Sequence, residues 1–199
     1  MADTKISAMP NATTPLTGAE LVPLVQSGVN VKSTIANFGQ YARDTLFNYG
    51  AFQDIGADQT AAANAVTLLR INTTDFTQGV TRTGSRITLT NAGVYSIIIS
   101  LQLTNTTANY DNFTLWPVIN GTAPTASASI VNVPEKKGGI NGLAILAVQY
   151  TYQFAAGEYF EFNWHNVAGH STVTTLPAST VTPVHPAAAG VILSVIQIG

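Results

Sequence analysis

The chain has 199 residues, which is enough for one substantial domain and a small appendage. Charged residues make up 9% of the chain, against roughly 25% in an ordinary soluble domain. The 8 basic and 10 acidic side chains nearly cancel, so the sequence excludes an electrostatic surface for nucleic acid or for an anionic membrane. Cysteine is absent, which excludes disulfides and thiolate chemistry.

The N-terminal region reads as an arm followed by a hairpin. Residues 1–19 are rich in Pro, Thr, Ala and Asn and have little periodicity, which predicts an extended arm. Residues 20–26 and 29–32 are strand-like runs, and the Ser27-Gly28 pair between them predicts a two-residue hairpin turn. Because a lone hairpin is marginally stable in water, we expect it to dock on a partner.

A short helix is predicted after the hairpin, with Ser33 or Thr34 as its N-cap. Its larger apolar side chains fall near one face: Ile35, Phe38, Tyr41 and Leu46. Two interpretations of this face remain, a short trimeric bundle or a surface helix that packs back on the following domain. We therefore expect residues 1–48 to form an attachment arm and hairpin, and residues 49–199 to form the main domain.

Only strands and turns are apparent from Ala51 onward. The predicted strands are 51–55, 66–71, 87–90, 94–104, 113–119, 130–133, 143–154, 159–165 and 191–197. Turn residues separate them, and Asn91-Ala92-Gly93 and Asn120-Gly121 each supply a residue that tolerates positive φ. Short strands at this spacing indicate an all-β sandwich or barrel.

The central strand is predicted at 94–104, where side chains alternate between two faces. One face is wholly apolar and should be core: Tyr95, Ile97, Ile99, Leu101 and Leu103. The other face is mixed, and the last strand is apolar on both faces, which predicts burial against another subunit. The residues expected at this subunit interface are Ile98, Leu143, Ile145, Ile192, Ile196 and Ile198.

Four short motifs in order resemble the globular domain of the C1q and tumour-necrosis-factor-like superfamily. They are Gly93-Val94-Tyr95, Val118-Ile119-Asn120-Gly121-Thr122, Ala156-Gly157-Glu158-Tyr159-Phe160 and Ala189-Gly190-Val191-Ile192-Leu193. The resemblance covers about 51–199. It implies a jelly-roll sandwich of ten strands that assembles as a compact homotrimer.

The N-terminal segment resembles the opening of many bacteriophage tail-fibre and other virion-appendage proteins. The resemblance lies in Lys5-Ile6-Ser7-Ala8-Met9-Pro10, where Met9 replaces a common leucine, and in the run from Leu16 to Gln26. It implies attachment to a phage particle. The residues expected to make that attachment are Ile6, Pro10, Leu16, Leu21, Val22, Pro23, Leu24 and Val25.

No catalytic motif is present, whether G-x-S-x-G, H-E-x-x-H or a phosphate-binding glycine loop. We therefore expect no enzymatic activity, no cofactor and no metal site. The loops near 104–112 and 166–186 combine amide, hydroxyl and aromatic groups that suit a sugar or a peptide, although ordinary polar loops have the same composition. The candidate receptor contacts are Asn109, Tyr110, Asp111 and His170.

Together these features predict a homotrimeric surface appendage of a bacteriophage virion, most simply a short tail fibre or receptor-binding protein. The alternative is a capsid decoration protein or head fibre. The expected partners are two further copies of the chain, other virion proteins bound through the arm, and a host cell-surface glycan. No signal-peptide or membrane-span pattern is apparent, so we expect synthesis in the host bacterial cytoplasm and a final location on the virion surface.

Overall fold

A computed structural model describes residues 16–199, without the side chains of residues 43–46. The described chain forms two compact units, of which one ends at Leu46 and the other spans Phe47–Gly199. The arm predicted over residues 1–15, with Ile6 and Pro10, lies outside the described residues.

The N-terminal unit consists of the hairpin β1 (Leu21–Gln26) and β2 (Val29–Thr34), followed by the helix α1 (Ile35–Leu46). Ser27 and Gly28 both have positive φ, 52° and 78°, as a tight hairpin turn of this hand requires. The Thr34 hydroxyl accepts a hydrogen bond from the Asn37 amide at 3.1 Å, so Thr34 is the N-cap. The predicted hairpin and capped helix are confirmed.

The main unit contains strands from Tyr49 to Gln197. They are β3 (Tyr49–Asp54), β4 (Thr67–Leu68), β5 (Thr73–Gln78), β6 (Val80–Thr83), β7 (Arg86–Leu89), β8 (Gly93–Asn105), β9 (Asp111–Ile119), β10 (Ser129–Val133), β11 (Gly142–Phe154), β12 (Tyr159–Asn166), β13 (Ser171–Val173) and β14 (Val191–Gln197).

These strands make two antiparallel sheets. The β8 sheet has the order β11-β8-β14-β3-β5, with β13 also paired to β8, and the β12 sheet has the order β10-β9-β12-β7-β6, with β4 also paired to β12. The chain crosses repeatedly between the two sheets, which is the jelly-roll arrangement. The predicted all-β jelly-roll sandwich is confirmed.

The core lies between the two sheets, where the inward faces of β8 and β12 meet. The five apolar residues predicted for the core face of β8 are 0% to 1% exposed. Phe160, Phe162 and Trp164 of β12 are fully buried, and Trp164 stacks on Phe113 of β9 with ring centroids 5.0 Å apart. Side chains of opposite parity on both strands therefore face away from the core.

Several sequence expectations are wrong in detail. Three strands were not expected, β5, β6 and β13, because they are rich in threonine and lack apolar alternation. The strand predicted at 66–71 shrinks to Thr67–Leu68. Gly93 does not have positive φ; it is needed because a Cβ there would lie 2.6 Å from the Gly199 carbonyl oxygen.

Candidate functional site

The outward face of the β8 sheet carries uncharged side chains along four of its strands. The antiparallel register places Ile192 of β14 opposite Ser100 of β8, and Ile196 opposite Ser96. No outward position on β8, β11, β14 or β3 is Asp, Glu, Lys or Arg. An exposed carboxylate, Asp75, lies at the bulged β5 edge, where it accepts a hydrogen bond from Gln53 at 2.6 Å.

All six residues predicted at a subunit interface lie on this face or at its end, and all are exposed in the single chain. Their exposed fractions run from 44% for Ile98 to 63% for Ile145. Sequence reasoning missed Tyr49 of β3 and Phe76 of β5, which also face outward and lie edge-to-face at 6.0 Å. Phe76 was missed because its strand is otherwise polar.

Two apolar hollows indent the same face. One, of about 290 Å³, lies between β8 and β11 beside Leu143, Ile145 and Leu176. The other, of about 260 Å³, lies beside Tyr49, Phe76 and Ile196. Contiguous apolar surface of this kind is rare on a monomer that stays in water, so the face has the character of an interface.

A polar groove lies at one end of the β12 sheet, and we call it the distal groove. Its volume is about 310 Å³, and it is lined by Asn109, Tyr110, Asp111, Asn112, Val167, Ala168 and His170. All four residues predicted as receptor contacts are therefore brought together. Tyr110 is 60% exposed, and its hydroxyl makes no hydrogen bond within the described chain.

Asp111 supports the floor of the distal groove. Its side chain is 1% exposed, and its carboxylate accepts hydrogen bonds from the backbone amides of Ala168, His170 and Ser171 at 2.8 to 2.9 Å and from the Ser171 hydroxyl at 3.0 Å. Burial alone raises the pKa of the Asp111 carboxyl, but these hydrogen bonds outweigh it and lower that pKa below its ordinary value. Asp111 fixes the 166–171 loop and does not present its oxygens to solvent.

The opposite wall of the distal groove is fixed by Asn105. This residue is fully buried, and its side-chain amide donates to the Asn109 carbonyl at 2.8 Å. Its side-chain oxygen accepts bonds from the Thr107 amide and hydroxyl, both at 2.9 Å. The two loops therefore present Asn109, Tyr110 and His170 from an ordered backbone.

Next to the distal groove lies a row of polar and aromatic side chains on the outward face of the β12 sheet, Trp116, Asn163 and His165, which we call the Trp116 strip. Trp116 of β9 is opposite Asn163 of β12, and its ring lies edge-to-face with His165 at 5.8 Å. No side-chain hydrogen bond is made by these three residues within the described chain. Parity was the missed signal, since Trp116 alternates with the core residues Phe113 and Leu115 of β9.

The predicted attachment segment is ordered around Glu20. The Glu20 carboxylate accepts hydrogen bonds from the Thr17 amide and hydroxyl and from the Gly18 amide, each at 2.8 Å. These bonds, that of the Thr17 amide foremost, lower the pKa of Glu20 to about 2. Ile35 and Ala36 at the start of α1 donate to the Glu20 and Gly18 carbonyls, both at 2.9 Å.

None of the described side chains of the N-terminal unit is buried. Leu16, Leu21 and Val25, all predicted attachment residues, are 47% to 67% exposed. Pro23 is exposed, and Val22 and Leu24 are half-buried. The described part of this unit therefore presents apolar side chains and buries none of them.

The part of the chain that the structure describes contains no group of three His, Cys, Asp or Glu side chains placed to hold a metal ion. None of its helices has the length and apolar character needed to cross a membrane.

Comparison with solved structures places the fold beside tumour-necrosis-factor-family jelly rolls. Three crystal structures of murine APRIL, at pH 8.5, 5.0 and 8.0, align with TM-scores of 0.46, 0.50 and 0.48 and with 9% to 10% sequence identity. Each alignment covers 76% of this chain and 99% of the murine chain. The main unit has a C1q/TNF-like jelly-roll fold. No family model and no curated protein matches the sequence.

Proposed function

We propose that this protein is a homotrimeric surface component of a bacteriophage virion, attached through its N-terminal unit and serving as a short tail fibre or receptor-binding protein. The observation that carries the proposal is the uncharged, apolar outward face of the β8 sheet. A protein with this face exposed needs a partner surface, and the partner that matches it in composition is another copy of the same chain.

Burial of the outward face of the β8 sheet would stabilise the proposed trimer. Full burial of an exposed Ile or Leu side chain contributes about 1.5 to 3 kcal/mol. The six on this face or at its end are 44% to 63% exposed in the single chain, so each would contribute about half of that. On the same face the Gln149 side-chain nitrogen donates to the Ser96 hydroxyl at 2.9 Å, so each of these two side chains keeps one hydrogen bond when the face is covered. We expect a total interface on the order of 2,000 Å² or more.

Attachment through the N-terminal unit is supported by two features. The described part of the unit exposes Leu21 and Val25 and buries no side chain, so these apolar groups are available to another protein. Its sequence also resembles the opening of tail-fibre and related appendage proteins. The Thr17-Gly18 turn closed by Glu20 gives this segment a defined shape for docking.

The experiment compares incorporation of the full chain with that of a variant beginning at Phe47. Both chains should form trimers in sedimentation velocity, because the β8 sheet is intact in both. The full chain should be present in purified particles and the truncated chain absent. Equal incorporation of both chains would overturn the role of the N-terminal unit, and a folded monomer of the full chain at nanomolar concentration would overturn the trimer.

Position on the particle separates the two classes of appendage. Cryo-electron microscopy of particles that carry the tagged chain should show its density on the tail for a tail fibre or receptor-binding protein. In that case excess free trimer should block adsorption of the phage to its host. Density on the head lattice would instead establish the alternative role, a capsid decoration protein or head fibre.

A further inference from the structure

We propose that the distal groove and the Trp116 strip together form one binding site for an uncharged glycan. The inference rests on the proposed function, because it names the receptor chemistry of a receptor-binding appendage. It is carried by the position, chemistry and lack of charge of these side chains.

The distal groove and the Trp116 strip form one continuous surface. Asn112 and Val167, which line the groove, occupy paired outward positions at one end of β9 and β12. Trp116 lies four residues beyond Asn112 on β9, on the same outward face, and is paired with Asn163. At about 3.3 Å per residue, the two ends are roughly 13 Å apart, which suits a short oligosaccharide better than a single sugar.

Aromatic and amide groups alternate along this surface. Tyr110 lies at the groove end and Trp116 at the strip end, and either ring can cover the apolar face of a pyranose. Asn109, Asn112 and Asn163 supply carboxamides, which both donate and accept and so match sugar hydroxyls. The Asn112 oxygen accepts a bond from Asn132 at 3.1 Å, which orients this carboxamide.

The lack of charge selects among glycans. No Lys, Arg or Glu lines the groove or belongs to the strip, and the single carboxylate, Asp111, is buried and bonded to four donors. The backbone amide of Lys136 donates to the Thr107 carbonyl at 2.6 Å, but Lys136 does not line the distal groove. A sialylated or phosphorylated sugar would lose water here without meeting a lysine or an arginine, so a neutral glycan fits better.

The probe is a panel of immobilised oligosaccharides, half neutral and half sialylated, sulfated or phosphorylated. The intact trimer should bind neutral members, with avidity from its three sites. Binding to acidic members alone, or to no member at millimolar sugar, would overturn the inference. The best neutral oligosaccharide is then titrated in solution by calorimetry and by tryptophan fluorescence, since Trp116 and the buried Trp164 are the two tryptophans of the chain.

Three variants locate the site. Trp116→Ala should weaken binding at least about tenfold, the loss that corresponds to one stacking contact. Asn163→Asp should weaken binding because it places a carboxylate in the strip. Val118→Ala is the matched control, since Val118 is the next outward position on β9 beyond the strip. All three should keep the trimer in sedimentation, and binding that survives Trp116→Ala unchanged would overturn the assignment.

Failure of this inference is distinguishable from failure of the proposed function. A virion-associated trimer that binds no neutral glycan overturns the glycan site and leaves the structural role standing. A trimer that binds neutral glycan through Trp116 but is absent from particles supports the site and overturns the virion role. The Trp116→Ala chain should be incorporated into particles normally, and those particles should adsorb poorly to the host. That result would support both the glycan site and the virion role.

Discussion

The groove depends on one residue, Asp111, whose carboxylate bonds three backbone amides and a hydroxyl. We expect Asp111→Asn to lower the free energy of unfolding by about 2 to 3 kcal/mol, because it removes a charged acceptor and places a donor against buried N–H groups. The measurement is chemical denaturation at fixed protein concentration. Asp58→Asn is the control, since exposed Asp58 accepts one bond, from the Thr175 amide at 3.2 Å, and should change stability by less than about 0.5 kcal/mol.

The same carboxylate makes the stability difference pH-dependent. Since hydrogen bonds lower the pKa of Asp111 in the folded state, its contribution is fully present above the ordinary aspartate pKa of about 3.9 and is lost as the pH falls through the folded value. The difference in unfolding free energy between the native chain and Asp111→Asn should therefore shrink as the pH falls below about 4. A difference that grows on acidification would contradict this role.

A second residue-scale prediction concerns Arg70 and Asp54. The Asp54 carboxylate is 1% exposed and bonds Arg70 through Nε at 2.9 Å and Nη2 at 3.0 Å, and Gln59 at 2.7 Å. We expect Arg70→Ala to cost about 3 kcal/mol of unfolding free energy, because it leaves a buried charge with two neutral donors, the Gln59 side chain and the Gly56 amide. Thermal and denaturant unfolding would measure the loss.

The less buried pair Arg86–Glu161 is the matched control for Arg70. Its atoms are 3.3 Å apart, and the two pairs differ in the carboxylate, since the Glu161 side chain is 20% exposed and that of Asp54 is 1% exposed. Arg86→Ala should cost less than about 1 kcal/mol, since water screens the pair, although the guanidinium also lies 3.7 Å from the Tyr159 ring centroid. Equal losses for the two arginines would contradict the dependence on burial.

At the scale of elements, strands with clear alternation were predictable and polar strands were not. β8 and β12 are predictable from sequence because each has a long run of alternating apolar residues that the core buries. β5 and β13 were not predicted, because their polar residues form strands only by pairing with β3 and β8. That pairing depends on tertiary context and not on local sequence. The distal-groove residues are predictable because the composition of their loops suits a ligand. Trp116 is not predictable in this way, because it lies within a strand.

Gly93, the first residue of β8, lies against Gln197 and Gly199 at the end of the chain. The Val94 amide donates to the Gly199 carbonyl at 2.6 Å, and the Ile198 amide donates to the Val94 carbonyl at 2.8 Å. A methyl group at Gly93 would displace Gly199 and Gln197, so Gly93→Ala should lower the unfolding free energy by about 1 to 3 kcal/mol.

The control for Gly93 is Gly39→Ala. It adds the same methyl group in α1, where nothing lies within 4 Å of the added carbon. Because alanine favours helix over glycine by about 1 kcal/mol, this variant should lose no stability. Unfolding curves for the two variants at matched concentration make the comparison, and a loss confined to Gly39→Ala would refute the close-packing argument.

At the scale of the whole molecule, the proposed trimer depends on the outward face of the β8 sheet. Ile196 on β14 is 49% exposed in the single chain and lies between Ser96 and Tyr49 in the register. Ile196→Asp would place a carboxylate on each chain in an interface that offers no cation, at a cost of several kcal/mol per buried charge. We expect the variant to be a folded monomer at micromolar concentration, with its jelly-roll circular dichroism intact.

Ile130→Asp makes the same chemical change on the opposite sheet. Ile130 is 69% exposed on β10, at the edge of the β12 sheet and away from the proposed interface. This variant should sediment as a trimer, because its new carboxylate stays in water. Trimer loss in both variants would mean that added charge disrupts assembly from either face, and trimer retention in both would exclude the β8 sheet as the interface. The proposed geometry requires loss for Ile196→Asp alone.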